Sequence, residues 1–123
     1  MLFYHGTDLD SALDILNNGL SAQRLRFYQS PRQTQLGPGL YVAQDPEIAW
    51  FFASLAPGNR GRGYSVIEIE LPDAAFIALR RDGLVHGEEI VNVPFRAEQY
   101  RLDVNAFDRL NELAIFRPYR RQE

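Results

Sequence analysis

Apolar and polar positions along the chain change period several times, and each change marks an element. Leu2, Phe3 and Tyr4 form a short apolar and aromatic run that ends at Gly6, the pattern of a buried strand with a tight exit. Leu9, Ala12, Leu13, Leu16 and Leu20 then keep three-and-four spacing, which predicts an amphipathic helix with one face on the core. Asp8 precedes it as an N-cap whose carboxylate can accept amide hydrogens of the first turn. Gly19 closes it, and the "NNGL" stretch predicts a Schellman ending with Leu20 folded back onto Ile15. Residues 21 to 38 are polar, rich in Gln and Arg, and interrupted by Pro31 and Pro38, so they read as a long surface loop. Leu40 to Ala43 is a second short strand. In "QDPE", Asp45 is an N-cap and Pro46 the first helical residue, and the helix runs to about Leu55 before "PGNRGRG".

The second half alternates. "YSVIEIEL" sets Val66, Ile67, Ile69 and Leu71 against Glu68 and Glu70, a strand pattern. "AFIALR", "EEIVNV" and "ELAIFR" predict three more strands, with one helical turn in "DVNAFDRL". The order of elements predicts an α+β domain whose helices come early and whose sheet is largely antiparallel. With 123 residues and 46% hydrophobic content, residues 1–123 make one domain with a core large enough to fold alone.

Composition narrows the chemistry. The chain has no Cys, hence no disulfide, thiolate ligand or thiol nucleophile, and its two His are too few for most metal sites without carboxylates. All 13 basic residues are Arg, so lysine Schiff-base mechanisms are excluded. Arg codon preference is the plainer account of missing Lys, and avoidance of ubiquitin-acceptor amines the sharper one. The net charge of −3 argues against bulk nucleic-acid binding, although Arg60 and Arg62, and Arg117, Arg120 and Arg121, form local basic clusters. No apolar run is long enough to span a membrane, and the amino terminus lacks a signal-peptide layout, so a soluble chain is expected, cytoplasmic or delivered into a target cell.

Three residues hold candidate chemistry. His5 ends an apolar strand beside Gly6, where a ligand can approach the backbone closely; a structural histidine is the default there. Tyr41 follows a glycine and can stack on a flat ring, or simply fill the core. Glu112, in "NELAIF", sits at the entrance of an apolar run, where solvent exposure is the plainest account. His86 has Glu88 and Glu89 nearby but lacks the helical pairing of a zinc site.

Taken together, "FYHGTDLDSALDILNNGL", "GPGLYVAQDPEIAWFFA" and "NELAIF" resemble, in that order, the ADP-ribosyltransferase superfamily in its His-Tyr-Glu branch, which holds the diphtheria-toxin group and the poly(ADP-ribose) polymerases. The first two blocks cover roughly residues 2 to 56. The resemblance implies two small, mainly antiparallel sheets that form an NAD-binding cleft. NAD⁺ would be the co-substrate, with no metal. By the same resemblance His5 would orient the adenosine ribose, and Gly6 would hold the nicotinamide carboxamide through its backbone, with Thr7 beside it. Tyr41 would stack on the nicotinamide, and Glu112 would bond the 2-hydroxyl of the nicotinamide ribose as the glycosidic bond breaks. A developing cation is stabilised well by a preorganised carboxylate and poorly by a neutral amide.

Two departures from the family pattern matter. A second Tyr, eleven positions after the first, makes the other wall of the nicotinamide site in the toxin group, and Phe52 stands there in this chain. Leu110, two residues before Glu112, lacks the Glu or Gln of arginine-modifying members. The resemblance therefore implies a mono-ADP-ribosyltransferase, a bacterial toxin or effector with a protein acceptor favoured and a cognate immunity protein or antitoxin as partner. A nucleic-acid-modifying enzyme of the same fold, including an RNA 2'-phosphotransferase, and a non-catalytic module that binds NAD or ADP-ribose are the alternatives.

Overall fold

A computed structural model describes residues 1–27, 39–54, 63–90 and 97–120. The chain runs β1 (Leu2–Asp8), α1 (Leu9–Asn18), a 3₁₀ segment (Ala22–Phe27), β2 (Leu40–Val42) and α2 (Pro46–Ser54). It continues through β3 (Tyr64–Glu70), α3 (Asp73–Arg81), β4 (Val85–Ile90), β5 (Ala97–Leu102), a second 3₁₀ turn (Val104–Ala106), α4 (Phe107–Leu113) and β6 (Ile115–Tyr119). The class is α+β. Two three-stranded sheets, β1-β3-β6 and β2-β5-β4, are antiparallel at every pairing described. A backbone bridge links them, where Tyr4 and Ala43 exchange hydrogen bonds of 2.7 and 2.9 Å.

Strand alternation decides which side chains fill the core. Phe3 on β1 and Ile67 and Ile69 on β3 point the same way, toward Leu40, Val42, Val85 and Leu102 of the other sheet. Ala12 and Ile15 of α1, Phe76 and Leu79 of α3, and Phe107 and Leu110 of α4 pack around them. Phe3, Phe76 and Tyr100 form an aromatic cluster with ring centroids 5.4 to 5.9 Å apart.

Both early helices begin as the sequence predicts. The Asp8 side chain accepts the Ser11 amide at 3.1 Å, and the Asp45 side chain accepts the Glu47 amide at 2.9 Å. The end of α1 differs from a Schellman turn. Gly19 has φ +75° and ψ −173°, and although its amide bonds the Ile15 carbonyl at 2.9 Å, the Leu20 amide turns away from the helix. That amide bonds Asn111 Oδ1 at 2.7 Å, while Asn111 Nδ2 donates to the Leu20 carbonyl at 2.9 Å. A single side chain on α4 thereby satisfies both backbone groups, and Leu20 still reaches the core beside Ile15.

Other expectations are corrected. "AFIALR" lies within α3, because Phe76 and Leu79 are buried three apart while Ile77, the residue that suggested alternation, is 63% exposed. Arg80 and Arg81 suit the carbonyl end of that helix, and Gly83 follows at φ +76°. "ELAIFR" is divided: Glu112 and Leu113 end α4, and only Ile115 onward is strand. The helical turn expected in "DVNAFDRL" is a 3₁₀ turn followed by the two-turn helix α4. Strand β4 begins earlier than "EEIVNV", and residues 91–93 of that stretch lie outside the described residues, as do Leu55 and residues 28–38 of the expected loop. Strand β5 was not predicted, since Glu98, Gln99 and Arg101 hide its alternation.

The tightest contact joins α2 to β1. Ala49 and Ala53, small residues on the buried face of α2, lie over Gly6, so that a Cβ at position 6 would overlap the Ala49 carbonyl and stand 2.8 Å from the Ala53 amide nitrogen. Those are backbone atoms, which cannot swing aside. Gly6→Ala should therefore push α2 off the sheet and destabilise the domain by about 3 kcal/mol, read as a lower urea midpoint. An unchanged midpoint would contradict this packing. Asn111→Ala should cost about 1 to 2 kcal/mol, because the Leu20 backbone loses both partners.

Candidate functional site

Where the two sheets diverge, a cleft opens on the side opposite the main core. Its walls are Tyr4 and Gly6 of β1, Tyr41, Val42 and Ala43 at β2, Ala49 and Phe52 of α2, and Gln99 of β5. It is small, with a cavity volume of about 10 Å³, space for about one water molecule, and is partly open to solvent. Ligand pockets for drug-sized molecules hold roughly 300 to 1,000 Å³, so a ring would enter this one only if its walls moved apart.

Local structure explains why each residue faces the cleft. On β1, Phe3 points into the core, so Tyr4 and Gly6 point to the opposite face, beneath α2. On β2, Leu40 and Val42 belong to the core, which turns Tyr41 outward, although it is itself buried by its neighbours. Tyr41 lies opposite Arg101 in the ladder, and Gln99, two residues before Arg101, shares that face of β5. Phe52 projects from the buried side of α2, in a cluster with Ala43 and Ile48. Three aromatic rings and one amide thus come from four elements.

The structure brings together part of the expected set. Gly6, Tyr41 and Phe52 line the cleft. His5 stands behind it at 0% exposure, and its Nδ1 donates to the Tyr41 carbonyl at 2.8 Å, so it acts as a strut between β1 and β2 beneath the Tyr41 ring. Thr7 is buried and its hydroxyl donates to Asp8 Oδ1 at 3.2 Å, which ties it to the N-cap of α1. Neither His5 nor Thr7 is among the residues lining the cleft.

Glu112 is not in the cleft. It lies in the last turn of α4, whose Phe107 and Leu110 face the core; two residues beyond Leu110 is about 200° around a helix, so Glu112 points to solvent. A run that looked like a strand entrance is the end of a helix, and Glu112 is not among the residues that line the cleft. Glu98 is exposed and precedes Gln99 on β5, so it projects from the other face of that strand. The polar residue that faces the cleft is Gln99, 3% exposed. Sequence reasoning missed it because β5 was missed; the clue was Tyr100 and Leu102 alternating with Gln99 and Arg101.

Charged groups lie around the rim. Tyr4 packs edge-on against Tyr119, with centroids 5.0 Å apart, and its hydroxyl donates to Glu68 Oε1 at 3.4 Å. Burial, and then the Glu68 carboxylate, raise the pKa of the Tyr4 phenol, which keeps its proton. Arg117 bonds Glu68 Oε2 through Nε at 2.9 Å and Nη2 at 2.7 Å, and reaches Glu70 at 3.5 Å. Its charge is therefore matched by two carboxylates, which weakens the expected basic patch at the carboxyl end; Arg60, Arg62 and Arg121 lie outside the described residues. Among the described residues no group of three or more His, Asp or Glu side chains is arranged to hold a metal ion, and no helix is long and apolar enough to cross a membrane.

Compared with known proteins, the chain matches no family model, and no curated protein sequence matches it.

Proposed function

We propose that the cleft binds the nicotinamide end of NAD⁺ and that the domain is a mono-ADP-ribosyltransferase, releasing nicotinamide and passing ADP-ribose to a macromolecular acceptor. The observation that carries this reading is the meeting of Gly6, Tyr41 and Phe52 around a small cleft between two antiparallel sheets. Aromatic rings grip a flat heterocycle through stacking and area burial. The cleft holds about a water's volume, so the nicotinamide ring would be admitted as α2 and β2 part, with the sugar and phosphates of the dinucleotide on the open side. His5 supports the site from behind, fixing the strand that presents Tyr41. A protein acceptor is favoured over nucleic acid, because the net charge is −3 and Arg117 is already paired. A toxin or effector role, with an immunity protein or antitoxin as partner, belongs to the same proposal.

A second reading has its own support. The described lining of the cleft contains no carboxylate, and an oxocarbenium-like transition state is poorly stabilised without one. On that reading the domain holds NAD⁺ or ADP-ribose and turns it over little or not at all. Nicotinamide release from NAD⁺, measured with and without cell lysate and followed by protease or nuclease digestion of any labelled product, separates the readings. Release together with protease-sensitive label supports transfer to protein; tight NAD⁺ binding with no release in any lysate supports the binding module.

Tyr41→Ala should weaken NAD⁺ binding by about 1 to 3 kcal/mol, whereas Phe52→Tyr should be tolerated, with calorimetry as the check. Unchanged affinity in a folded Tyr41→Ala protein would argue against the ring site. Glu112→Gln should leave both NAD⁺ binding and nicotinamide release unaltered, since the residue projects to solvent from α4. A selective loss of release in that variant would restore Glu112 to the chemistry and overturn its placement.

A further inference from the structure

We infer that Pro118 closes the outer edge of β6 to strand addition, and so keeps two copies of this chain from joining through their β1-β3-β6 sheets. The parity of the ladder places it there. Tyr4 exchanges both of its backbone bonds with Ala43, so its N–H and C=O point away from β3, and the β1 residues that bond β3 are Phe3, His5 and Thr7. Their partners Ile69, Ile67 and Ser65 face β1, which leaves Val66, Glu68 and Glu70 to bond Tyr119, Arg117 and Ile115 of β6. The backbone groups of Phe116 and Pro118 therefore point outward from the last strand of the sheet. Among the described residues no strand pairs with that edge.

An open edge here would be adhesive. Leu2 and Ile115 stand exposed in one row across the outer face of the sheet, and Arg117, the charge that could hold a second strand off, is tied down by Glu68 and Glu70. Pro118 supplies the block that Arg117 does not: it is exposed at the edge and has no N–H to give. Two β6 strands related by a two-fold axis and paired antiparallel about Arg117 would match Phe116 with position 118 of the other copy, an exchange that needs an N–H at 118. With proline there, one of the two bonds in that exchange is lost, and the axis repeats the loss. Centring the pair on position 118 itself removes both. No β6 residue lines the cleft, so this role is independent of the NAD⁺ reading.

Two measurements test it. In wild-type protein, hydrogen exchange followed by NMR should show the Phe116 amide exchanging at least about a hundredfold faster than those of Arg117 and Tyr119, which bond β3. Pro118→Val in the full chain restores the N–H, and sedimentation between about 10 μM and 1 mM should show a heavier species that wild type does not form, with the amides at positions 116 and 118 protected in it. Should that variant not fold by thermal unfolding, Pro118→Thr replaces it. Three results would each overturn the role of Pro118: a wild-type Phe116 amide as protected as its neighbours, a folded variant that sediments as wild type does at every concentration, or association that leaves positions 116 and 118 unprotected.

Discussion

The close approach of α2 to β1 at Gly6 is the constraint on which the rest of the domain depends. With a side chain at position 6, α2 could not settle onto the sheet, and Tyr4, Val66, Ala49 and Ala53 would lose their shared packing. Phe52 rides on the same helix, so the distance between helix and strand also fixes the width of the cleft. The backbone pair between Tyr4 and Ala43 then sets the angle at which the two sheets part. His5 braces that corner from the core side by bonding the Tyr41 carbonyl. The same few residues therefore hold the fold together and shape the opening.

That dual use changes how the opening residues are understood. A glycine after a strand-end histidine suggested a place for a ligand to touch backbone, and Gly6 does line the cleft, but its lack of a Cβ is already required by Ala49 and Ala53. His5 likewise has a structural duty that needs no ligand. Tyr41 and Phe52 are buried rings, 1% and 4% exposed, that line the cleft, and Gln99 is the amide among its described lining residues. The proposed ring site lies with the two rings, and the architecture lies with Gly6, His5 and Asn111.

The first half of the sequence was legible because each element there carries its own punctuation. Asp8 and Asp45 cap the helices they precede, Pro46 starts α2, and Gly19 ends α1. Even so, the partner of Leu20 lies 91 residues away on Asn111, which no local pattern encodes. The second half was harder for a physical reason. Ile77 is an exposed apolar residue on a helix, so apolar content misread α3 as strand. β5 is a central strand whose outward face carries Gln99 and Arg101, so it read as polar chain. Glu112 was placed at a strand entrance because "ELAIFR" read as strand throughout, whereas Glu112 and Leu113 end α4.

The central proposal is that a nicotinamide ring enters between Tyr41 and Phe52, beside Gly6. Titrating ¹⁵N-labelled protein with NAD⁺ and following amide shifts residue by residue tests it most directly. The account predicts saturable shifts concentrated at Gly6, Tyr41, Val42, Phe52 and Gln99, reproduced in part by nicotinamide alone, with Glu112 and the rest of α4 unmoved. Shifts centred on α4, or none at the cleft when NAD⁺ binds, would contradict it.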